Sequence, residues 1–222
     1  MAIVTASNLI KEYKTGKLSA TALNGVSLSI EEGEFTAIVG PSGSGKSTLL
    51  NLIGGLDRPA SGQVVVADID LASLSENKLI DFRLRNIGFV FQAYNLIPVL
   101  TAYENVQFNM HLLKIKSSVR KERAKELLNE LGLGDKMNRR PSQLSGGEQQ
   151  RVAVARAIAA RPKFIIADEP TANLDSNSTA NLLDLMYRMC EKENTTFVFS
   201  THDQRVIEKA KRVISLVDGN IA

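Results

Sequence analysis

The sequence predicts an α/β fold with a mostly parallel sheet, an N-terminal antiparallel β layer and an inserted α-helical subdomain. The first observation is that short apolar runs alternate with helix-like segments along most of the chain, as in parallel sheets covered by helices. Several runs are rich in Val, Ile and Phe, as expected of strands buried on both faces. The buried strands are predicted at Phe35–Val39, Ile87–Phe91, Phe164–Ala167, Thr196–Ser200 and Val213–Val217.

The second observation concerns the beginning of the chain, which differs from the rest. Segments near Ile3–Asn8, Gly25–Ile30 and Gln63–Ala67 are short and β-like, and turn-forming residues separate them. Because these segments are short and separated by turns, we expect a small antiparallel layer beside the main sheet.

The third observation is the helical character of the middle of the chain, roughly from Ser75 to Pro141. One helix is predicted with Ser117 or Ser118 as its cap and Gly132 just beyond its end. Its apolar residues recur with helical spacing at Ala124, Leu127, Leu128 and Leu131. We therefore expect a single domain over 1–222, with a core at about 1–90 and 160–222 and a helical subdomain at about 91–159.

Composition excludes several classes of protein. The 222 residues are 44% hydrophobic and 23% charged, as in globular domains, and the net charge of +3 is too small to predict nucleic-acid binding. The only cysteine is Cys190, which excludes an intrachain disulfide. The N-terminus has no signal-like pattern, and no run is apolar enough for a membrane span. We expect a soluble, cytoplasmic protein that reaches a membrane only through a partner.

A glycine-rich loop gives the strongest chemical signal. The segment Gly40, Pro41, Ser42, Gly43, Ser44, Gly45, Lys46, Ser47, Thr48 fits the pattern G-x-x-x-x-G-K-[ST] between a predicted strand and a predicted helix. Glycines let backbone N–H groups turn towards phosphate oxygens, and the helix presents its positive end to them. Lys46 adds a charge for the β- and γ-phosphates, and Ser47 a hydroxyl for Mg²⁺. The sequence therefore predicts a P-loop NTPase core.

Two acids follow the strand predicted at Phe164–Ala167. Asp168 is placed to hold the Mg²⁺ shell, and Glu169 is placed where an attacking water could lie. A strand that ends in Asp-Glu is common by itself. The phosphate loop upstream favours the catalytic interpretation.

A second glycine-rich segment, Leu144–Arg151, precedes an alanine-rich stretch. Ser145, Gly146 and Gly147 at a helix start form another potential anion site, one more than a single nucleotide requires. Three interpretations remain open: this segment binds a second phosphate group, completes a site on another subunit, or simply caps its helix.

Together these segments resemble the nucleotide-binding subunit of an ABC transporter over essentially the whole chain. Gly40–Thr48 is similar to the Walker A loop, Phe164–Glu169 to Walker B, and Leu144–Gln149 to the signature motif. By the same resemblance, Gln92 matches the Q-loop, Asp175 the D-loop, His202 the switch histidine and Tyr13 the aromatic that stacks on adenine. From position alone, His202 could be a surface residue and Tyr13 a packing residue.

The resemblance implies an ATPase whose cofactors are ATP and Mg²⁺. Two copies would form a homodimer on ATP binding, with each ATP between one Lys46 loop and the partner's Ser145 and Gly147. Glu169 would polarise water and His202 would hold the γ-phosphate. Gln92 would contact Mg²⁺ and report to an integral membrane subunit, while Asp175 would couple the two sites.

The subfamily resemblance is sharper. It rests on residues 13–28, 88–98, 101–106 and 141–151, which are similar to ATPases of lipoprotein release, macrolide or peptide efflux and cell division. The implied protein is a motor peripheral to the inner face of the cell membrane, with its partner docked near Gln92–Leu100. The importer alternative, for amino acids or metals, is weakened by the lack of room for a regulatory domain after Asp218. A soluble ABC protein acting on DNA or ribosomes and an inactive scaffold are weaker alternatives.

Overall fold

The computed structural model describes residues 1–15 and 18–222. In these residues the strands are β1 Ala2–Thr15, β2 Leu18–Glu31, β3 Phe35–Val39, β4 Ser61–Val66, β5 Ile69–Asp70, β6 Ile87–Val90, β7 Phe164–Ala167, β8 Thr196–Thr201, β9 Arg212–Val217 and β10 Asn220–Ile221. The helices are α1 Lys46–Ile53, α2 Glu76–Asn86, α3 Ala102–Leu112, α4 Ser117–Glu130, α5 Gly146–Ala159, α6 Ser176–Glu193 and α7 Gln204–Ile207.

The main sheet has the order β10-β9-β3-β8-β7-β6 within the described ranges. Strands β9, β3, β8, β7 and β6 run parallel to their neighbours, and β10 pairs antiparallel with β9 at one edge. The predicted parallel sheet is thus confirmed, and each buried strand agrees with its predicted range to within one residue at either end. Parallel strands bring their carboxyl ends to one edge, where the loops after β3, β7 and β8 meet.

The predicted N-terminal β layer is confirmed as a second, antiparallel sheet of order β2-β1-β4-β5 in the part of the chain that the structure describes. Its first two strands are longer than the sequence pattern indicated, since β1 and β2 pair from Ala2 with Glu31 to Thr15 with Leu18. This layer covers α1 on the side away from the main sheet, so that one apolar cluster fills the space between the two sheets.

The second apolar cluster lies on the opposite face of the main sheet and joins it to α3, α4, α5 and α6. Phe35, Phe197 and Phe199 pack together there, with the ring centroids of Phe35 and Phe199 4.8 Å apart. Helix α5 is buried on all sides from Val152 to Ala159, which explains its alanine-rich sequence. Small side chains let its neighbours approach closely.

Helix α4 shows one wrong prediction and one confirmed one. Neither Ser117 nor Ser118 caps it: the helix begins at Ser117, its preceding residue is Lys116, and no side chain makes a capping bond. The predicted apolar face is buried at all four positions, and Gly132 follows the helix with φ +68°, as a terminating glycine does. Within residues 1–15 and 18–222, no helix combines the length and the apolar character that a membrane span requires.

Candidate functional site

A cleft of about 600 Å³ opens where β3, β7 and β8 end. The phosphate loop, Glu169 after β7 and the strands of the N-terminal sheet all contribute to it. It is lined by Tyr13, Ala22, Ser42, Gly43, Gly45, Lys46, Ser47, Thr48, Gln92, Glu169, Ala172 and His202. The structure therefore gathers in one place most of the residues that the sequence assigned to nucleotide binding and catalysis.

The glycines of the phosphate loop are required by packing as well as by the turn. A side-chain carbon on Gly40 would lie 2.0 Å from the carbonyl oxygen of Leu216, and one on Gly45 would lie 2.4 Å from that of Ala22. Both glycines have positive φ, at +156° and +103°. The loop is thus held between the N-terminal sheet and β9, with the N-terminus of α1 facing the cleft.

Lys46 is the first residue of α1, and its side chain is buried beneath the loop. Its Nζ donates to the carbonyl oxygens of Gly40 and Pro41, at 2.8 and 2.9 Å. These bonds use two of the three N–H donors of the ammonium group and hold its charge inside the curl of the loop. A positive charge enclosed by a glycine-rich loop and a helix N-terminus suits a polyphosphate.

Asp168 lies at the end of β7, opposite the start of α1. Its Oδ1 accepts hydrogen bonds from the hydroxyl of Ser47 at 3.1 Å and from that of Ser200 at 2.6 Å. A hydroxyl and a carboxylate side by side are oxygen donors of the kind Mg²⁺ accepts. The described residues contain no cluster of three or more His, Cys, Asp or Glu suited to a metal. The donor set fits an ion held largely by phosphates and water.

Glu169 follows directly and has a left-handed backbone, with φ +46°. Its N–H donates to the Ser200 hydroxyl at 2.8 Å, which fixes this unusual conformation. Nδ1 of His202 lies 2.9 Å from Oε1 of Glu169. His202 is exposed, as the surface interpretation required, but it also lines the cleft beside the carboxylate.

Gln92 and Tyr13 also line the cleft. The main-chain oxygen of Gln92 accepts from the amide of Asn173 at 3.1 Å, and its side chain is exposed. The hydroxyl of Tyr13 donates to Asp57 at 3.0 Å, and the ammonium of Lys11 lies 5.1 Å from its ring centroid. The ring is 43% exposed, so it is more accessible than a core packing residue.

The second glycine-rich segment lies elsewhere. Ser145, Gly146, Gly147 and Asp175 are absent from the cleft lining. The Ser145 hydroxyl accepts from the N–H of Glu148 at 3.4 Å, and the Glu148 carboxylate accepts from the N–H of Ser145 at 2.9 Å, which forms a capping box on α5. A hydrogen bond from Lys136, followed by the one from the Ser145 N–H, lowers the pKa of Glu148.

Asp175 caps the next helix. Its carboxylate accepts from the N–H and the hydroxyl of Ser178, at 3.0 and 2.6 Å, just where α6 begins.

The capping box of α5 shows that the capped-helix interpretation of the Leu144–Arg151 segment is correct as a description of local structure. It leaves the other two interpretations open, because a capped N-terminus still presents N–H groups to an anion.

Sequence reasoning missed three residues near the site. Ser200 joins Asp168 to Glu169, Asn173 holds the carbonyl of Gln92, and Arg156 bonds to the loop after Gln92. Each acts on a segment that is distant in sequence, by up to 81 positions for Asn173. The available signal for Ser200 was its place at the end of a buried strand, directly before Thr201 and His202.

Comparison with known proteins agrees with this geometry. The chain matches the family described as ABC transporter over residues 23–172. It is 47% identical to an uncharacterised ABC transporter ATP-binding protein of Thermotoga maritima, over 95% of this chain and 90% of that protein. It is 46% identical to the lipoprotein-releasing system ATP-binding protein LolD of Anaeromyxobacter dehalogenans, over 98% of this chain and 92% of LolD.

A longer relative and a solved structure extend the comparison. The chain is 45% identical over 99% of its length to the macrolide export ATP-binding/permease protein MacB of Hyphomonas neptunium, of which it covers 34%. A dimeric ATP-binding cassette bound to ADP and Pi in a post-hydrolysis state superposes with a TM-score of 0.90 at 44% identity, over 98% of this chain and 96% of that one. The chain therefore belongs to the ABC transporter family, as an ATP-hydrolysing cassette.

Proposed function

We propose that this chain is the motor subunit of an ABC transporter of the lipoprotein-release or macrolide/peptide-efflux type, working as a homodimer on a membrane partner. The observation that carries the proposal is the grouping of Lys46, Ser47, Asp168, Glu169 and His202 around one cleft. The similarity to LolD and MacB favours this type over an importer ATPase.

In this proposal the phosphate loop binds the ATP phosphates. Lys46 exchanges its two carbonyl contacts for the β- and γ-phosphates, and Tyr13 stacks on the adenine at the outer rim. Ser47, Asp168 and Gln92 would hold Mg²⁺, which when bound would neutralise charge on the phosphate oxygens. The positive end of α1 adds to the attraction.

Glu169 is proposed to orient and deprotonate the attacking water, because it lines the same cleft as the phosphate loop. His202 contacts this carboxylate and is placed to hold the γ-phosphate instead. Its imidazole keeps the position of Glu169 defined before ATP arrives. The left-handed backbone of Glu169 and its bond to Ser200 orient the carboxylate at the end of β7.

The homodimer is supported by what the cleft lacks. Ser145, Gly146, Gly147 and Asp175 do not line it, and we propose that they contact the nucleotide bound to a second copy. In the proposed dimer, the γ-phosphate of one ATP binds the partner's Ser145 and Gly147. Hydrolysis removes that link, and the dimer opens. The solved relative with bound ADP and Pi is itself dimeric.

A groove of about 320 Å³ is the proposed docking site of the membrane partner. It is lined by Phe89, Phe91, Asn95, Ile97, Phe108, Asn109 and Arg156. The groove adjoins the segment Gln92–Leu100, in which Val99 is 72% exposed.

We also propose that residues of about 91–159 move as a helical subdomain against the core of about 1–90 and 160–222. The protein would then lie on the inner face of the cell membrane.

The test of this function uses Glu169→Gln. The amide cannot accept the water proton, so ATP should bind but not turn over, and the variant should elute as a dimer with ATP and Mg²⁺ in size-exclusion chromatography. Lys46→Ala is the matched control and should stay monomeric because it loses the phosphate contact. Turnover of Glu169→Gln at the wild-type rate would exclude Glu169 as the base.

The partner is tested with the same variant. Tagged Glu169→Gln with ATP is used to capture proteins from detergent-solubilised native membranes. Recovery of one integral membrane protein with a large extracytoplasmic domain would support the efflux or lipoprotein-release type. Recovery of a many-span permease with a solute-binding protein would instead support the importer. Ribosomes or DNA without any membrane protein would contradict the partner half of the proposal.

A further inference from the structure

We infer that Arg156 is a positioning residue that fixes the loop carrying Gln92 against α5, the helix that begins with the signature glycines. Its guanidinium donates from Nη1 to the carbonyl oxygen of Asn95 at 2.6 Å and from Nη2 to that of Tyr94 at 3.1 Å. This fork joins α5 to a loop that is 61 and 62 positions away in sequence.

The environment of Arg156 indicates a specific role. The side chain is 9% exposed, and no carboxylate of the described residues forms an ion pair with it. Desolvation lowers the pKa of its guanidinium. A buried cation without a counterion is costly, and a hydrophobic residue of similar length would fill the same space. The two carbonyl bonds are what an arginine supplies here and a packing residue would not.

The loop needs this support because its backbone is strained. Tyr94 and Asn95 are consecutive residues with left-handed conformations, at φ +60° and +48°. This conformation is unfavourable for side chains larger than glycine's, and least so for asparagine. In such a turn both carbonyls are directed to the same side, where Arg156 bonds them as a pair. Without the guanidinium, the loop is free to relax to an ordinary conformation.

Two further contacts tie the same loop to the catalytic parts of the chain. The carbonyl of Gln92 accepts from Asn173, three residues after Pro170 in the segment that follows Glu169. The hydroxyl of Tyr94 lies against Gly146, where an added side-chain carbon would come within 2.8 Å of it. Tyr94 therefore contacts α5 with its backbone near the end of the helix and with its hydroxyl at the beginning.

Arg156 and Asn95 also line the groove in which we place the membrane partner. The inference rests on that proposed function: a partner helix in the groove would press on the loop that Arg156 holds, and Gln92 lies three residues before Asn95. Arg156 thus lines the groove and joins the Gln92 loop to the signature helix by direct hydrogen bonds. Arg156 does not line the nucleotide cleft, so its effect on hydrolysis passes through the loop that carries Gln92.

The test compares Arg156→Lys with Arg188→Lys in the purified cassette. Lysine keeps the charge and most of the length but cannot bond both carbonyls as a fork. We expect kcat for ATP to fall at least tenfold with KM within threefold of wild type, because Gln92 is not a main phosphate contact. Arg188 is an exposed arginine that bonds a carbonyl within its own helix, and Arg188→Lys should keep wild-type kcat. Nucleotide-binding stoichiometry is measured for each variant to exclude a loss of folded protein.

Rescue distinguishes positioning from packing. Glycine adopts the left-handed conformation readily. Adding Asn95→Gly to Arg156→Lys should therefore raise kcat at least threefold above that of Arg156→Lys alone. A packing defect would not respond to a change in backbone preference. If Arg156→Lys does not fold, the same cycle is measured with Arg156→Gln, whose amide can still donate to one carbonyl.

Either of two results would overturn the inference: kcat of Arg156→Lys within twofold of wild type, or no recovery with Asn95→Gly. In both cases wild-type turnover and ATP-dependent dimerisation of Glu169→Gln would leave the proposed function intact. Absence of ATP turnover in the wild-type cassette, by contrast, would overturn the proposed function and this inference with it.

Discussion

Ser200 makes two hydrogen bonds that hold the catalytic end of β7, and its removal gives a sharp test of the site geometry. The side chain is fully buried. Its hydroxyl donates to the Asp168 carboxylate at 2.6 Å and accepts from the Glu169 N–H at 2.8 Å. Ser200→Ala removes both bonds and takes away only the hydroxyl group. We expect the variant to be less stable and much less active.

The size of the effect follows from the two bonds. A hydrogen bond to a charged group contributes about 1.5–3 kcal/mol, and a buried N–H left without a partner costs about 1–3 kcal/mol. Because Asp168 and Glu169 are only partly buried, water can compensate in part. We therefore expect a loss of about 3 kcal/mol in the free energy of unfolding. For a chain of this length, this corresponds to a fall in Tm of roughly 6–12 °C.

The turnover number of Ser200→Ala should also fall. The Ser200 bond fixes the left-handed backbone of Glu169, and without it the carboxylate loses its direction in the cleft. A loss of about 1.4 kcal/mol in transition-state stabilisation lowers kcat tenfold. We expect kcat to fall roughly 10- to 100-fold, with a smaller change in KM because Lys46 and the phosphate loop are untouched.

The assays are urea unfolding followed by circular dichroism and a coupled ATPase assay. Ser73→Ala is the matched control, since the Ser73 hydroxyl also makes a 2.6 Å bond but lies at the surface, and its removal should cost less than about 0.5 kcal/mol. If Ser200→Ala lost less than about 1 kcal/mol and kept a kcat near wild type, the role assigned to this hydroxyl would be refuted.

Two more predictions concern buried charges and the thiol. Glu193→Gln should lower the free energy of unfolding in urea by about 2 kcal/mol, because the buried guanidinium of Arg123 loses its buried carboxylate partner, 2.9 Å away. The loss stays below that of an unpaired buried charge, since Glu126 still pairs with Arg123 at 3.1 Å. Burial raises the pKa of the Cys190 thiol to about 11. The folded state therefore keeps a proton that the unfolded state loses, so wild-type stability should fall relative to Cys190→Ala as pH rises from about 9 to 11, and unfolding curves across that window measure it.

The buried strands were predictable because their signal is local. Short apolar runs bounded by polar residues define β3 and β7 without reference to the rest of the chain. The hairpin of β1 and β2 was underestimated for the opposite reason. Lys11 and Glu12 interrupt the apolar pattern, yet the backbone continues as a strand because it pairs with Leu23 and Thr21. Pairing between two strands is not visible in the composition of either.

Helix α4 shows how packing overrides a weak local preference. A serine cap contributes only about 1 kcal/mol, whereas Leu127 and Leu128 are each completely buried. Their burial sets the position of the helix, and Ser117 is included in its first turn.

The motif residues of the cleft were predictable from sequence, while Ser200 and Arg156 were not. Both bind the backbone of segments that the fold brings to them.

The second glycine-rich segment shows why the capping and the anion-binding interpretations do not exclude each other. The bond from the Glu148 N–H to the Ser145 hydroxyl is 3.4 Å long, beyond the usual range for such a bond. A serine needed only as a cap would be expected to bond more closely. The Glu148 carboxylate is the stronger half of the capping box, at 2.9 Å from the Ser145 N–H. The Ser145 hydroxyl is therefore only weakly engaged within its own chain, which supports the proposal that it bonds a phosphate held by a second copy.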